Sequence, residues 1–145
     1  MEIDKIKKII IEENSFDNCL LYNYHIIKFK DFSYIPSVSI KLSNIHSRKI
    51  INILVTGGHE KVYIDVLNLD SDEQLTMGNI LYSLCGISSD LELSAKLEEY
   101  GGNDLYERLR NYLRYLNSID CPKLKEVFQT PYWYLEPPPY DPYVK

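Results

Sequence analysis

The chain has 145 residues, 45% hydrophobic and 26% charged, with 16 Lys and Arg against 21 Asp and Glu for a net charge of −5 and a pI near 5.2. That size and composition fit a single globular domain with its own core and exclude a disordered chain or a disulfide-dependent miniprotein. The acidic balance, without a stripe of Lys or Arg, removes the counterion-release contribution that dominates nucleic-acid binding, so no nucleic-acid partner is expected.

Ile3, Ile6 and Ile10 recur at helical spacing among Lys5, Lys7 and Lys8, which predicts a short amphipathic helix over 2–13 with its apolar face on a sheet. This N-terminal stretch is too charged, and its apolar run too short, for a secretory signal or a membrane span, so a cytoplasmic location and no membrane partner are expected. Residues 18–30 are rich in Leu, Tyr, Ile and Phe without helix-start chemistry and read as a strand, broken near Asn23, before a turn at Pro36. Val38, Ile40 and Leu42 then alternate with Ser39, Lys41 and Ser43, the period of a strand with one wet face. The runs 49–55 and 61–67 flank Thr56-Gly57-Gly58-His59-Glu60, a hairpin signature, with Val62, Ile64 and Val66 facing the core and Lys61, Tyr63 and Asp65 turned away. The strand order expected is a mostly antiparallel meander of four.

From residue 71 the period changes. Ser71 to Gln74 has the form of a capping box ahead of Met77, Ile80, Leu81 and Leu84, and Gly86 is placed to stop that helix. Ser89-Asp90-Leu91-Glu92 repeats the box, opening a helix with Leu93, Leu97 and Tyr100 on one face and Gly101-Gly102 as its end. Asn103 caps a third helix whose stripe is Leu105, Leu109, Tyr112, Leu113 and Leu116, and Asp120 caps a fourth with Pro122 in its first turn and Leu124, Val127 and Phe128 inward. The chain therefore reads as one α+β domain over 1–130. An aromatic-proline tail follows over 131–145, packed in part on the domain.

Charge is not evenly spread. Between Asp70 and Glu107 stand Asp70, Asp72, Glu73, Asp90, Glu92, Glu98, Glu99, Asp104 and Glu107 against Lys96 alone, a local balance of −8 in a chain of −5. Most of these acids sit at expected helix starts, where a carboxylate complements the macrodipole for roughly 0.3 to 1 kcal/mol. Glu98 and Glu99, near an expected helix end, have no such role. Taken together the acids still generate a negative field able to steer a basic partner. Arg108, Arg110 and Arg114 form a basic edge to it, and Arg110 and Arg114 share a face that holds a carboxylate or pairs with Glu107 and other surface acids.

Motifs for chemistry are weak. His25, His46 and His59 lack metal-ligand spacing, and Cys19, Cys85 and Cys121 are odd in number, far apart and without a C-x-x-C, so no metal, no cofactor and no disulfide framework is expected. Cys85, among apolar residues before the Gly86 stop, reads as a buried structural thiol. Thr56-Gly57-Gly58 does not extend to a phosphate-binding loop. His59 beside Glu60 is the one arrangement suited to acid-base catalysis and supports, at most, a small enzyme. In the tail, Pro137-Pro138-Pro139-Tyr140 has the form of a WW-domain ligand, which supports a scaffold or adaptor reading, whereas Tyr132, Trp133 and Tyr134 folded back on the body would complete the core.

A short N-terminal helix, an antiparallel meander, an acidic helical half and no catalytic motif resemble the small bacterial immunity proteins of polymorphic or contact-dependent toxin systems. The resemblance is architectural and transfers no residue by match. It implies a non-catalytic protein that occludes a cognate toxin domain, frequently a basic nuclease met by acidic groups. The residues expected to contact such a partner are Asp90, Glu92, Glu98, Glu99 and Asp104 as charges and Tyr100 and Tyr106 as anchors.

Overall fold

The computed structural model describes residues 2–32, 36–57, 61–87 and 104–133. Helix α1 (Ile3–Glu13) leads into five strands, β1 (His25–Phe32), β2 (Ser37–Asn44), β3 (Lys49–Thr56), β4 (Lys61–Asn68) and β5 (Gln74–Thr76). Three further described helices follow: α2 (Met77–Cys85), α3 (Leu105–Ser118) and α4 (Pro122–Gln129). The strands make one antiparallel sheet in sequential order. The class is α+β, with one more strand than the four expected.

Alternation in the central strands sets the core. Val38 pairs with Val55, Ile40 with Ile53 and Leu42 with Ile51, and Ile53 and Ile51 pair in turn with Ile64 and Val66, so all eight share one buried face. Onto that layer pack Ile6, Ile9 and Ile10 of α1, Met77, Ile80 and Leu81 of α2, Leu109, Tyr112, Leu113 and Leu116 of α3, and Leu124, Val127 and Phe128 of α4. The other face is wetter, and Ser39 Oγ donates across it to Asn52 Oδ1 at 2.9 Å. Helices α1 and α3 run side by side in the same direction: Tyr106 lies against Glu2, while Arg110, Arg114 and Asn117 lie against Glu13.

The expected strand over 18–30 begins only at His25. Residues 18–24 form successive turns, with Cys19 N bonded to Phe16 O, Tyr22 N to Cys19 O and Tyr24 N to Leu21 O, and Asn23 at φ 64°. Their apolar side chains are buried all the same, because Leu20, Leu21 and Tyr24 drop from the turns into the core. Polar side chains of the helices replace a sheet partner: Leu20 N donates to Asn117 Oδ1 at 2.8 Å, and Gln129 Nε2 donates to Leu20 O and Tyr22 O at 2.7 and 3.0 Å.

The box at Ser71–Gln74 does not start a helix. Asn68 N donates to Glu73 O, Asn68 Nδ2 and Glu73 N both donate to Ser71 Oγ, and Asp72 takes φ 60°, closing a turn from which residues 74–76 pair with β4 as a fifth strand. Ser71 thus satisfies the turn instead of capping, since a hydroxyl serves equally well in either setting. Helix α2 starts later, with Thr76 Oγ1 accepting from Asn79 N at 3.1 Å, and ends at Gly86 in the left-handed conformation, φ 71°, as its sequence predicts. Helix α3 is capped by Asp104, whose Oδ1 accepts from Glu107 N at 2.9 Å, and α4 is preceded by Cys121 rather than by a cap from Asp120. The helix expected over 89–100, Asn103, and the turn residues Gly58, His59 and Glu60 lie outside the described residues. Among the described residues no helix is long and apolar enough to cross a membrane.

Candidate functional site

The described acids of the 70–107 segment fall at two ends of the molecule. Asp70, Asp72 and Glu73 occupy the β4–β5 turn. There Asp70 pairs with Arg48 from the β2–β3 turn, and Glu73 Oε2 accepts from Trp133 Nε1 at 2.9 Å. The same end holds the C-termini of α1, α3 and α4, joined through Asn117, Leu20 and Gln129. Asp104 and Glu107 begin α3, whose 14 residues carry them about 20 Å from that end. The three acids of the turn therefore have no helix-start role, which corrects the capping account for Asp70, Asp72 and Glu73. Asp90, Glu92, Glu98, Glu99 and Tyr100 lie outside the described residues.

Tyr106 and Asp104 are both engaged within the fold. The Tyr106 hydroxyl accepts from Glu2 N at 2.8 Å, and Lys5 Nζ stands 4.2 Å from its ring centroid, so this side chain closes the α1–α3 seam. Arg110 and Arg114 pair with α1: Arg110 Nη1 lies 2.9 Å from Glu13 Oε1 and 3.5 Å from Glu12 Oε2, and Arg114 Nε lies 3.1 Å from Glu13 Oε2. Glu13 is the most enclosed of these charges, its side chain 12% exposed.

Sequence reasoning missed a buried polar cluster where the sheet meets the end of α4. Lys49 is 0% exposed, and its Nζ donates to Ser47 O at 2.8 Å and Thr130 O at 3.0 Å, with the Trp133 ring centroid 5.7 Å away. Burial pulls its ammonium down to about 8, a shift that nearby Asp70 opposes. Beside it the Tyr24 hydroxyl donates to Phe128 O and shares a hydrogen bond with Ser47 Oγ, and burial holds that phenol well above its usual range. A signal for Lys49 was present, because it stands in phase with Ile51, Ile53 and Val55 on the inward parity of β3. The fold also brings Cys85 and Cys121 together, distant in sequence but with Sγ atoms 2.6 Å apart, both half-buried.

Among the described residues strand β1 is an edge of the sheet, with Ile27 and Phe29 54% and 53% exposed. Cations cover its aromatic rings: Lys7 Nζ lies 3.5 Å from the Phe29 centroid and Lys30 Nζ 4.7 Å from that of Phe32. With a register shift between Ile26 and Lys28, these lysines discourage pairing of the edge with another strand. His25 and His46 are exposed, and among the described residues no group of His, Cys, Asp and Glu is arranged to hold a metal. Comparison of the chain with protein-family models, with curated proteins and with solved structures finds no match.

Proposed function

We propose that this chain is a non-catalytic protein-binding module of the immunity type, which neutralises a basic toxin domain by covering it with an acidic surface. The surface comprises Asp104 and the acids that precede it in sequence, Asp90, Glu92, Glu98 and Glu99. The observation that supports the reading is the ion pairing across the α1–α3 seam. Arg110 and Arg114, which follow Arg108 in α3, pair with Glu12 and Glu13 of α1, where Lys8 also lies 3.8 Å from Glu12, so these cations are directed onto α1. They therefore do not offset the negative charge carried by the 88–107 segment, and a field of that sign raises the association rate with a basic partner by ten- to a thousand-fold at low salt.

The test is isolation of the tagged chain from its native cells at low ionic strength, identification of the bound protein, and stopped-flow measurement of its association. Glu98→Lys with Glu99→Lys should slow association at least tenfold in low salt and flatten the dependence on ionic strength. An on-rate equal to that of the unaltered chain at every salt concentration refutes the acidic surface as the recognition element.

A further inference from the structure

We propose that Cys85 and Cys121 are a disulfide-forming pair, a site of reversible oxidation by low-molecular-weight disulfides. The two sulfurs come from separate helices, Cys85 from the last turn of α2 and Cys121 from the residue preceding α4, 36 residues apart in sequence. At 2.6 Å they lie well inside the contact distance of two non-bonded sulfurs and about 0.6 Å from the length of a covalent S–S bond. Closing that gap needs only a small side-chain adjustment, because each thiol sits at a helix end rather than in a helix interior. Cys121 Sγ also donates to Leu84 O at 3.4 Å, which holds it over the end of α2. The third cysteine is elsewhere: Cys19 is buried and its Sγ donates to Glu13 O at 3.3 Å.

The chemistry is thiol–disulfide exchange and it balances. One thiolate attacks a sulfur of a small disulfide such as oxidised glutathione, forming a mixed disulfide and releasing one small thiolate. The second protein thiolate attacks the protein sulfur of that mixed disulfide, forming Cys85–Cys121 and releasing the second small thiolate. The two protons given up by the protein thiols go to the two released thiolates, and the two electrons end on the small-molecule sulfurs. Burial and the adjacent Cys121 push the Cys85 thiol up. The product ties α2 to α4 and encloses residues 86–120, which include every residue proposed above to meet a partner. That consequence rests on the binding proposal, whereas the bond itself does not.

The experiment uses the full chain, reduced and then equilibrated with defined mixtures of reduced and oxidised glutathione, quenched with acid and mapped by mass spectrometry. The expected result is an intramolecular Cys85–Cys121 crosslink, a fall in free thiols from three to one, and a midpoint of thermal unfolding higher than that of the reduced chain by several degrees. Cys85→Ser and Cys121→Ser should each give a glutathione adduct on the remaining partner and no crosslink, with Trp133 fluorescence verifying that each variant is folded. Retention of three free thiols at the oxidising limit, a crosslink that includes Cys19, or crosslinks only between molecules would each overturn the proposal. None of these outcomes bears on partner binding, so the two proposals fail separately.

Discussion

The buried ammonium of Lys49 makes a quantitative prediction about pH. Its ordinary value of 10.5 applies in the unfolded chain, and in the fold burial lowers it to about 8. Below pH 8 both states carry the proton, and the folded state bears the whole cost of the buried charge, about 3 kcal/mol from a gap of that size. Between 8 and 10.5 the unfolded chain binds the proton that the folded chain has released, so this group makes stability climb by up to about 1.4 kcal/mol per pH unit. Two other groups work the opposite way. The Cys85 thiol, raised from 9.0, is lost earlier from the unfolded chain above about pH 9, and the Tyr24 phenol, raised from 10.0, does the same above about pH 10. The wild-type chain should therefore gain stability from pH 8 to 9, level off to about pH 10 and lose stability above it. Lys49→Met keeps most of the side-chain volume and removes the titration together with the hydrogen bonds to Ser47 O and Thr130 O, so the pH dependence of the difference, not its absolute size, isolates the titration. Urea unfolding followed by Trp133, the single tryptophan and a neighbour of Lys49, measures both proteins across pH 7 to 10. The wild-type stability minus that of the variant should rise by about 1.4 kcal/mol per pH unit above pH 8. A difference that stays flat across the whole range refutes a desolvated Lys49.

Asn117→Ala removes the acceptor of Leu20 N and one of the donors to Glu13 O, and should cost about 1–3 kcal/mol in urea unfolding because Leu20 N loses its partner while Glu13 O keeps only the weak Cys19 Sγ donor. Gly86→Ala adds a Cβ with no atom of the described residues within 4 Å, so its expected cost of about 1 kcal/mol comes from backbone strain at φ 71°, and Gly86→Asn should cost less in the same urea unfolding. Asp104→Ala should lower stability by about 1 kcal/mol through loss of the cap on Glu107 N, read in the same denaturation assay. Lys7→Ala with Lys30→Ala should leave the melting midpoint nearly unchanged yet promote association, detected by light scattering, because the β1 edge loses the cations that cover Phe29 and Phe32.

What the sequence made legible was whatever repeats along the chain. Alternation in β2 to β4 located the core face down to Ile64 and Val66, and helical spacing found α1, α2, α3 and α4 to within a few residues. Punctuation was less transferable. Gly86 stops α2 because only a residue tolerant of positive φ fits there, whereas Ser71 and Asp120 have cap-like chemistry that the fold puts to other use or leaves aside. The strand over 18–30 was overestimated because burial of Leu20, Leu21 and Tyr24 looks the same in composition whether reached by a strand or by turns. The Cys85–Cys121 and Arg110–Glu13 pairings depend on how α2, α3, α4 and α1 lie against each other, and no local pattern encodes that.

The missed interactions have a common physical origin at one end of the sheet. Turns over residues 18–24 and 45–48 expose backbone groups just where α3 and α4 terminate, and each such group needs a partner once it is enclosed. Asn117, Gln129, Tyr24 and Lys49 supply those partners by reaching across elements, to Leu20, Tyr22, Phe128, Ser47 and Thr130. Trp133 then seals the cluster, stacked near Lys49 and bonded to Glu73. Residues 131–133 are thus part of the folded body, and removing all of 131–145 would strip the covering from Lys49 as well as the proline-rich tail. A truncation that is to test the tail as a recognition element has to end after Trp133, where a loss of binding with an unchanged unfolding midpoint can be assigned to the tail alone.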